Sequence, residues 1–168
     1  RSAGVAVDEI LDVAEEVPTH LTGRALEYAG RLYRLAGAYT AGIPLLERSL
    51  ELQTSEAEAK RVRWYLLSSR VRRDPVGTAA TLATVVPTLA DSPYFGDIFL
   101  ELAGLLAERE RWDAVLTAYE AIDEFAAPGA RARYEIILAR AFETGRLTAA
   151  AGRAEELRSR YLERAAAQ

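Results

Sequence analysis

The feature that most constrains the fold is a stretch between residues 25 and 52, where two helical patterns follow each other and each carries a glycine within its apolar face. The first pattern places four residues on one helical face: Leu26, Ala29, Gly30 and Tyr33. The second does the same with Gly42, Ile43, Leu46 and Leu50. Gly37 separates the two patterns, and Thr40 is expected to be the N-cap of the second helix. Because glycine inside a helix costs about 1 kcal/mol, Gly30 and Gly42 predict close packing of the two helices.

The same pattern recurs along the chain. The first-helix face returns with identical internal spacing as three further sets: Trp64, Leu67, Ser68 and Val71; Phe99, Leu102, Ala103 and Leu106; Tyr134, Ile137, Leu138 and Ala141. The second-helix face returns as Ala79, Ala80 and Ala83; Val115, Leu116 and Tyr119; Ala150, Ala151 and Ala154. The bulky leading residues are roughly 35 to 38 positions apart, which is typical of a helical repeat.

This pattern resembles the tetratricopeptide repeat. The residues that carry the resemblance are Leu26, Ala29, Gly30, Tyr33, Gly37, Tyr39, Ile43, Leu46, Leu50, Glu51 and Leu52. Gly42 stands where the family usually has alanine, and Thr54 where it usually has proline. The resemblance implies an all-α fold, a right-handed α-solenoid of stacked antiparallel helical hairpins with about nine helices.

The resemblance also implies one domain with four repeats, over residues 23–56, 57–93, 94–128 and 129–166. The stretch from Val5 to Val17 is expected to be an amphipathic helix with an acidic outer face that Pro18 ends, and we expect residues 1–18 to be the second helix of a truncated repeat or an N-terminal cap. Pro87 is expected to end or bend the second helix of the second repeat. Pro128 is expected to separate the last two repeats.

Composition argues against a reactive centre. The chain has no cysteine, which excludes disulfides, thiolate metal sites and a cysteine nucleophile. His20, the only histidine, is expected in the turn after Pro18, and no phosphate-binding glycine loop is present. No apolar run reaches the roughly 18 residues of a membrane span. We therefore expect no enzyme activity, no cofactor, no metal and no membrane span.

Charge alternates in blocks along the chain. Residues 1–20 and 76–128 are acidic, whereas residues 21–75 and the final stretch are basic. A general nucleic-acid binder would carry one basic face along its length, so we expect no nucleic acid as a partner. Lys60 is the only lysine and asparagine is absent, which suggests a GC-rich bacterial genome. The lack of cysteine fits the bacterial cytoplasm and the periplasm equally.

The chain also contains no methionine and opens with Arg1 and Ser2. We therefore expect it to be an excised piece of a longer protein or a processed protein.

The surface of the first helices is the candidate binding site. In stacked hairpins these helices line the inner wall, which is expected here to run from basic to acidic. The candidate partner-binding residues are Arg24, Arg31, Arg34, Tyr65, Arg72 and Arg73. Arginine can hold a carboxylate through two parallel hydrogen bonds, and tyrosine offers a flat apolar contact beside it. We expect a protein or peptide partner with an acidic group near Arg31, Arg34 and Arg72.

Other interpretations stay open. The same arginines are also explained as charges that keep a scaffold soluble. The piece could be the helical arm of a larger bacterial protein, such as a cell-envelope enzyme. It could also be a module for self-association into a homo-oligomer, because Ile10 and Val13 of the first helix need apolar cover.

Overall fold

A computed structural model of the chain describes residues 8–10, 12, 19–89, 95–122, 128–146, 156, 159, 160 and 163. These residues form helices and the short turns between them, and no strand occurs among them. The predicted all-α class is confirmed. The right-handed solenoid and the number of helices stay predictions.

Seven α-helices and one short 3-10 helix have bounds within the described residues. The α-helices are α1 (Thr19–Leu35), α2 (Tyr39–Glu51), α3 (Glu56–Arg73), α4 (Pro75–Val85), α5 (Phe95–Glu108), α6 (Trp112–Ile122) and α7 (Pro128–Glu143). The 3-10 helix, Val86–Thr88, directly follows α4. Residues 8–10, 12, 156, 159, 160 and 163 are also helical. The rest of the helices expected at the two ends of the chain lies outside the described residues.

The chain divides into two compact units, Arg1–Arg73 and Asp74–Gln168. The first unit contains α1 to α3, and the second contains α4 to α7. The boundary falls between the two helices of the predicted second repeat. The single domain with four repeats stays a prediction.

The first unit is built on a close contact between α1 and α2. Gly23 lies against Leu52, whereas Gly30 lies against Gly42, so the two helices run antiparallel. A Cβ atom added to Gly42 would be 3.0 Å from the carbonyl oxygen of Gly30. One added to Gly30 would be 2.6 Å from Cγ of the buried Leu46. The close packing predicted at these two glycines is confirmed.

The turn between α1 and α2 closes through backbone hydrogen bonds. The Ala38 N–H donates to the Tyr33 carbonyl over 2.9 Å, the Gly37 N–H donates to the Arg34 carbonyl over 3.1 Å, and Gly37 has a φ of 74°. This is a Schellman turn, which favours glycine because of its left-handed backbone. The turn sets the N-cap of α2 at Ala38, so the prediction that Thr40 caps this helix is wrong.

Helix α3 completes the first unit. Val62 and Leu66 of α3 pack with Ile43 and Leu46 of α2 in one buried cluster. Ser68 is buried, which agrees with its place on the predicted packing face, and its neighbour Ser69 is buried as well. A second cluster joins α1 to α2 through Leu26, Ala41 and Leu45. Together these contacts pack both α1 and α3 against α2.

The second unit begins with a well-formed helix start. Asp74 is the N-cap of α4, its Oδ1 accepts a hydrogen bond of 2.9 Å from the Gly77 N–H, and Pro75 occupies the first turn. Proline suits that position because its missing N–H would have no helical partner there. Helix α4 ends at Val85 and continues as the 3-10 turn that contains Pro87. The early end predicted from this proline is confirmed.

The Schellman turn of the first unit recurs in the second. After α5, the Arg111 N–H donates to the Leu106 carbonyl over 2.9 Å, and Glu110 has a φ of 55°. After α7, the Arg146 N–H donates to the Ala141 carbonyl over 2.8 Å, and Gly145 has a φ of 66°. The three turns share one hydrogen-bond pattern at equivalent points of the sequence pattern.

Two buried tyrosines join α5, α6 and α7. The Tyr119 hydroxyl donates to Oε1 of Glu135 over 2.6 Å. The Tyr134 hydroxyl donates to the carbonyl oxygen of Phe99. The side chains of Tyr134 and Phe99 are both fully buried. Four aliphatic side chains of the same three helices are also fully buried: Leu102, Leu106, Ile122 and Leu138. The bulky leaders Phe99 and Tyr134 therefore are core residues, as the sequence pattern predicts.

Pro128 is the first residue of α7, where a proline costs no intrahelical hydrogen bond, and the repeat border expected at this residue stays a prediction. One local expectation is wrong. His20 was expected in a turn, but it lies in the first turn of α1. Proline and histidine are each compatible with the first turn of a helix. The residue type alone therefore does not show whether Pro128 or His20 lies in a turn or in the helix that follows it.

Candidate binding surface

Helices α1 and α3 lie side by side in a fixed register. Their side chains meet in pairs 34 positions apart in the sequence: Arg24 with Glu58, Glu27 with Arg61, Arg31 with Tyr65, and Arg34 with Ser68. A constant difference in residue number means that the two helices run parallel. The same two helices carry all the candidate partner-binding residues of the sequence analysis.

Two arginines of α1 lie over two aromatic rings of α3. Cζ of Arg31 is 4.7 Å from the ring centroid of Tyr65. Cζ of Arg34 is 5.5 Å from the centroids of both Trp64 and Tyr65. The two rings meet edge to face with their centroids 5.0 Å apart. We call these four residues the arginine–aromatic cluster.

The buried carboxylate of Glu27 lies beside the arginine–aromatic cluster. Arg61 donates from Nε and Nη2 to the two carboxylate oxygens of Glu27, over 2.7 and 2.8 Å. Nη1 of Arg31 is 3.9 Å from the same carboxylate. The hydrogen bond to Glu27 raises the pKa of the Arg61 guanidinium, although partial burial opposes the shift. Arg61 is therefore a permanent cation at this site.

Arg34 makes no ion pair within the described part of the chain. Its Nη1 donates to Oγ of Ser68 over 3.4 Å, and its Nε is buried without a hydrogen-bond partner. Arg31, Arg34 and Arg61 bring three positive charges next to the single carboxylate of Glu27, and Glu58, which also acts on Arg61, is itself paired with Arg24. The excess positive charge can attract an anionic group of a ligand.

The other predicted residues lie at further points of α1 and α3. Nη2 of Arg24 is 2.9 Å from Oε1 of Glu58. Nη1 of Arg72 donates to the hydroxyl of Tyr39 over 3.2 Å. Arg73 is exposed at the last position of α3. The structure thus brings Arg31, Arg34 and Tyr65 into one cluster and places Arg24, Arg72 and Arg73 elsewhere on the same two helices.

Sequence reasoning missed two features of this surface. Trp64 was assigned to a packing face, but its ring also lies beneath Arg34. Tyr28, Leu32 and Leu35 are exposed although they are large and apolar. Their spacing of four and three positions was visible in the sequence as a second apolar face of α1.

No other type of site is evident in the described residues. Within them, no group of three or more histidine, aspartate or glutamate side chains has the arrangement that could hold a metal ion. Among the helices described, none is long and apolar enough to cross a membrane.

Comparison of the chain with family models, with curated proteins and with solved structures gives no match.

Proposed function

We propose that this chain is a non-catalytic protein–protein interaction scaffold of the tetratricopeptide-repeat type. It binds a peptide segment or a partner protein on its concave face, through α1 and α3. The 34-position register between these helices supports the proposal, because it equals the length of that repeat. The recurring Schellman turns after α1, α5 and α7 also support it.

The observation that carries the binding proposal is the arginine–aromatic cluster. An arginine whose guanidinium carbon lies over an aromatic ring keeps N–H donors that the ring does not use, so it can still bind a carboxylate. The ring contact also holds the arginine in one orientation before a ligand arrives. Because Glu27 and Glu58 do not balance the four arginines around them, Arg24, Arg31, Arg34 and Arg61, the preferred ligand is an acidic segment. Arg24, Arg72 and Arg73 extend the basic surface along the same helices.

The proposal is tested with labelled 12-residue peptides rich in glutamate, and with matched peptides in which glutamine replaces glutamate. Fluorescence anisotropy measures the dissociation constant of each peptide. We expect only the acidic peptides to bind, and we expect binding to weaken as salt rises, because salt screens charges on a surface. Equal binding of the glutamine peptides would contradict the proposal.

The double variant Arg31→Gln with Arg34→Gln assigns the binding to the cluster. We expect it to weaken binding of the acidic peptides at least tenfold. The matched control is Arg48→Gln with Arg63→Gln, because those arginines pair with exposed Glu51 and Glu56 outside the cluster. Equal losses in the two double variants would mean that net charge, and not this cluster, attracts the peptide.

A second candidate function is a helical arm or oligomerisation module of a larger bacterial protein, such as a cell-envelope enzyme. The exposure of Tyr28, Leu32 and Leu35 favours it, because large apolar side chains aligned on one helix mark interaction surfaces. The acidic-peptide assay separates the two candidates, since an oligomerisation module has no need of an acidic ligand.

A further inference from the structure

The outward face of α1 carries an apolar stripe formed by Tyr28, Leu32 and Leu35. These side chains are 62%, 49% and 71% exposed. They are four and three positions apart, so they form a straight line along one side of the helix. Single exposed apolar residues are common, but an aligned set indicates an interaction surface.

The other faces of α1 are already in contact with its own unit. Leu26 and Gly30 face α2, and Glu27 and Arg34 face α3. The stripe occupies the side of the helix that these contacts leave open. Its ends, Tyr28 and Leu35, are separated by about 10 Å along the helix axis, or two turns.

The charge beside the stripe is positive. Arg31 lies three positions after Tyr28 and four before Leu35, so it borders the stripe on the side that faces α3. Glu27, the nearest acid on α1, is turned inward and buried against Arg61. A ligand on the stripe therefore meets the excess positive charge of the arginine–aromatic cluster along one edge.

The core shared by α1 and α2 already contacts one helical segment of this chemistry. Ile10 packs against the cluster of Leu26, Ala41 and Leu45, while Asp8, Glu9 and Asp12 of the same segment are exposed. The first unit thus already accommodates a helical segment that packs an apolar side chain against α1 and α2 and carries acidic side chains beside it.

We propose that the apolar stripe and Arg31 together bind one amphipathic α-helix of a partner protein, with apolar residues at i, i+3 or i+4 and i+7 and acidic residues beside them. A helix is the matching shape, because ridges of side chains on two helices interdigitate along such a line. This inference rests on the proposed function, since the acidic residues of the partner meet the same cluster.

Charge argues against a second copy of the chain as the occupant. A two-fold pairing of the stripe with itself puts the same residues of both copies at one interface. Arg31 of each copy would then border the same contact, and like charges brought together at an interface are unfavourable. An acidic partner helix replaces this repulsion with attraction.

The test uses the whole chain and three designed 18-residue helices in isothermal titration calorimetry. The first carries leucines at the stated spacing with glutamates elsewhere, the second has lysines for the glutamates, and the third has serines for the leucines. We expect the first to bind and the other two to bind at least tenfold more weakly. Equal binding of the lysine helix would overturn the inference that the partner helix is acidic. Equal binding of the serine helix would overturn the inference that its apolar residues contact the stripe.

The stripe is tested by the variant Tyr28→Ser with Leu32→Ser and Leu35→Ser, and by Leu35→Ser alone. We expect the triple variant to weaken binding of the first helix at least tenfold, and Leu35→Ser to weaken it by a smaller factor. The matched control is Ile136→Ser, which removes an exposed apolar side chain from the second unit. Circular dichroism shows whether the triple variant folds, and Leu35→Ser, at the last residue of α1, provides the test if it does not.

The outcomes separate this inference from the proposed function. If the stripe variants bind the first helix unchanged while Arg31→Gln with Arg34→Gln loses it, the partner-helix inference is wrong and the proposed function stands. If no acidic peptide or helix binds, both are wrong. If light scattering shows a dimer that the stripe variants dissociate, the occupant is a second copy and the inference is wrong.

Discussion

Gly30 shows how much one residue decides in this chain. A Cβ atom at this position would lie 2.6 and 2.8 Å from two carbons of Leu46 and 3.2 Å from the carbonyl oxygen of Gly42. Leu46 is fully buried, so it cannot swing away to make room. Gly104 of α5 is the opposite case, because a Cβ atom there would meet nothing within 4 Å.

The substitutions Gly30→Ala and Gly104→Ala therefore are expected to act in opposite directions. Overpacking costs about 1–3 kcal/mol, whereas alanine gains about 1 kcal/mol over glycine in a helix. We expect Gly30→Ala to lower the free energy of unfolding by up to about 2 kcal/mol and Gly104→Ala to raise it by about 1 kcal/mol. Urea denaturation measures both. A gain from both substitutions would mean that α1 and α2 are not in close contact at Gly30.

Tyr134 couples stability to pH. Burial raises the pKa of its phenol above the ordinary value of about 10. Above pH 10 the unfolded chain releases this proton while the folded chain keeps it, so the folded state binds more protons and stability falls as pH rises. Below that pH the contribution is fully present.

The variant Tyr134→Phe isolates this effect. Near neutral pH we expect it to lower the free energy of unfolding by about 1 kcal/mol, because the hydrogen bond to the Phe99 carbonyl is lost. Above pH 10 the difference between the two proteins should shrink, since only the natural chain carries this titrating group. Denaturation curves from pH 7 to about pH 11 measure how the free energy of unfolding of each protein changes with pH. The same change with pH in both proteins would contradict the buried position of the hydroxyl.

At the level of the helices, the pair of Glu27 and Arg61 joins α1 to α3. The Glu27 side chain is only 4% exposed, whereas the Arg61 side chain is 45% exposed. Hydrogen bonds to a buried charged group contribute about 1.5–3 kcal/mol, and removal of one partner leaves the other without compensation. Surface ion pairs contribute about 0–1 kcal/mol.

Arg61→Ala is therefore expected to lower the free energy of unfolding by about 2 kcal/mol. The matched control is Arg48→Ala, whose partner Glu51 is exposed on the same helix, and we expect a loss below about 0.5 kcal/mol. Thermal and urea denaturation compare the two variants. Equal losses would mean that the Glu27 carboxylate is solvated in the folded protein.

On the scale of the whole molecule, the two compact units differ in content, because the candidate binding residues all lie in the first unit. The arginine–aromatic cluster and the apolar stripe both belong to the unit Arg1–Arg73. The unit Asp74–Gln168 contains a hydrogen-bonded tyrosine core and lies mostly in the acidic block of the sequence. All the candidate binding residues therefore can be tested by substitutions in the first unit, with controls in the second.

The amino-acid sequence predicts the helices well because its strongest signals are local. The apolar spacing from Leu26 to Tyr33 requires a helix, the close pair of Gly30 and Gly42 requires a tight contact, and Pro87 requires an early helix end. Each of these is a property of a few neighbouring residues. The position of the N-cap at Ala38 was not predicted, because the hydrogen bonds of the preceding turn displaced it from Thr40.

The tertiary structure was needed for the surface. Periodicity places Arg24, Glu27, Arg31 and Arg34 on one side of α1, and it treats all four as equally available to a ligand. The contacts with α3 separate them: Glu27 is buried with Arg61, Arg24 is paired with Glu58, and Arg31 and Arg34 lie over aromatic rings. Helical periodicity is a property of one segment, whereas the charge that remains for a ligand depends on which side chains of a neighbouring helix, 34 residues away, neutralise it.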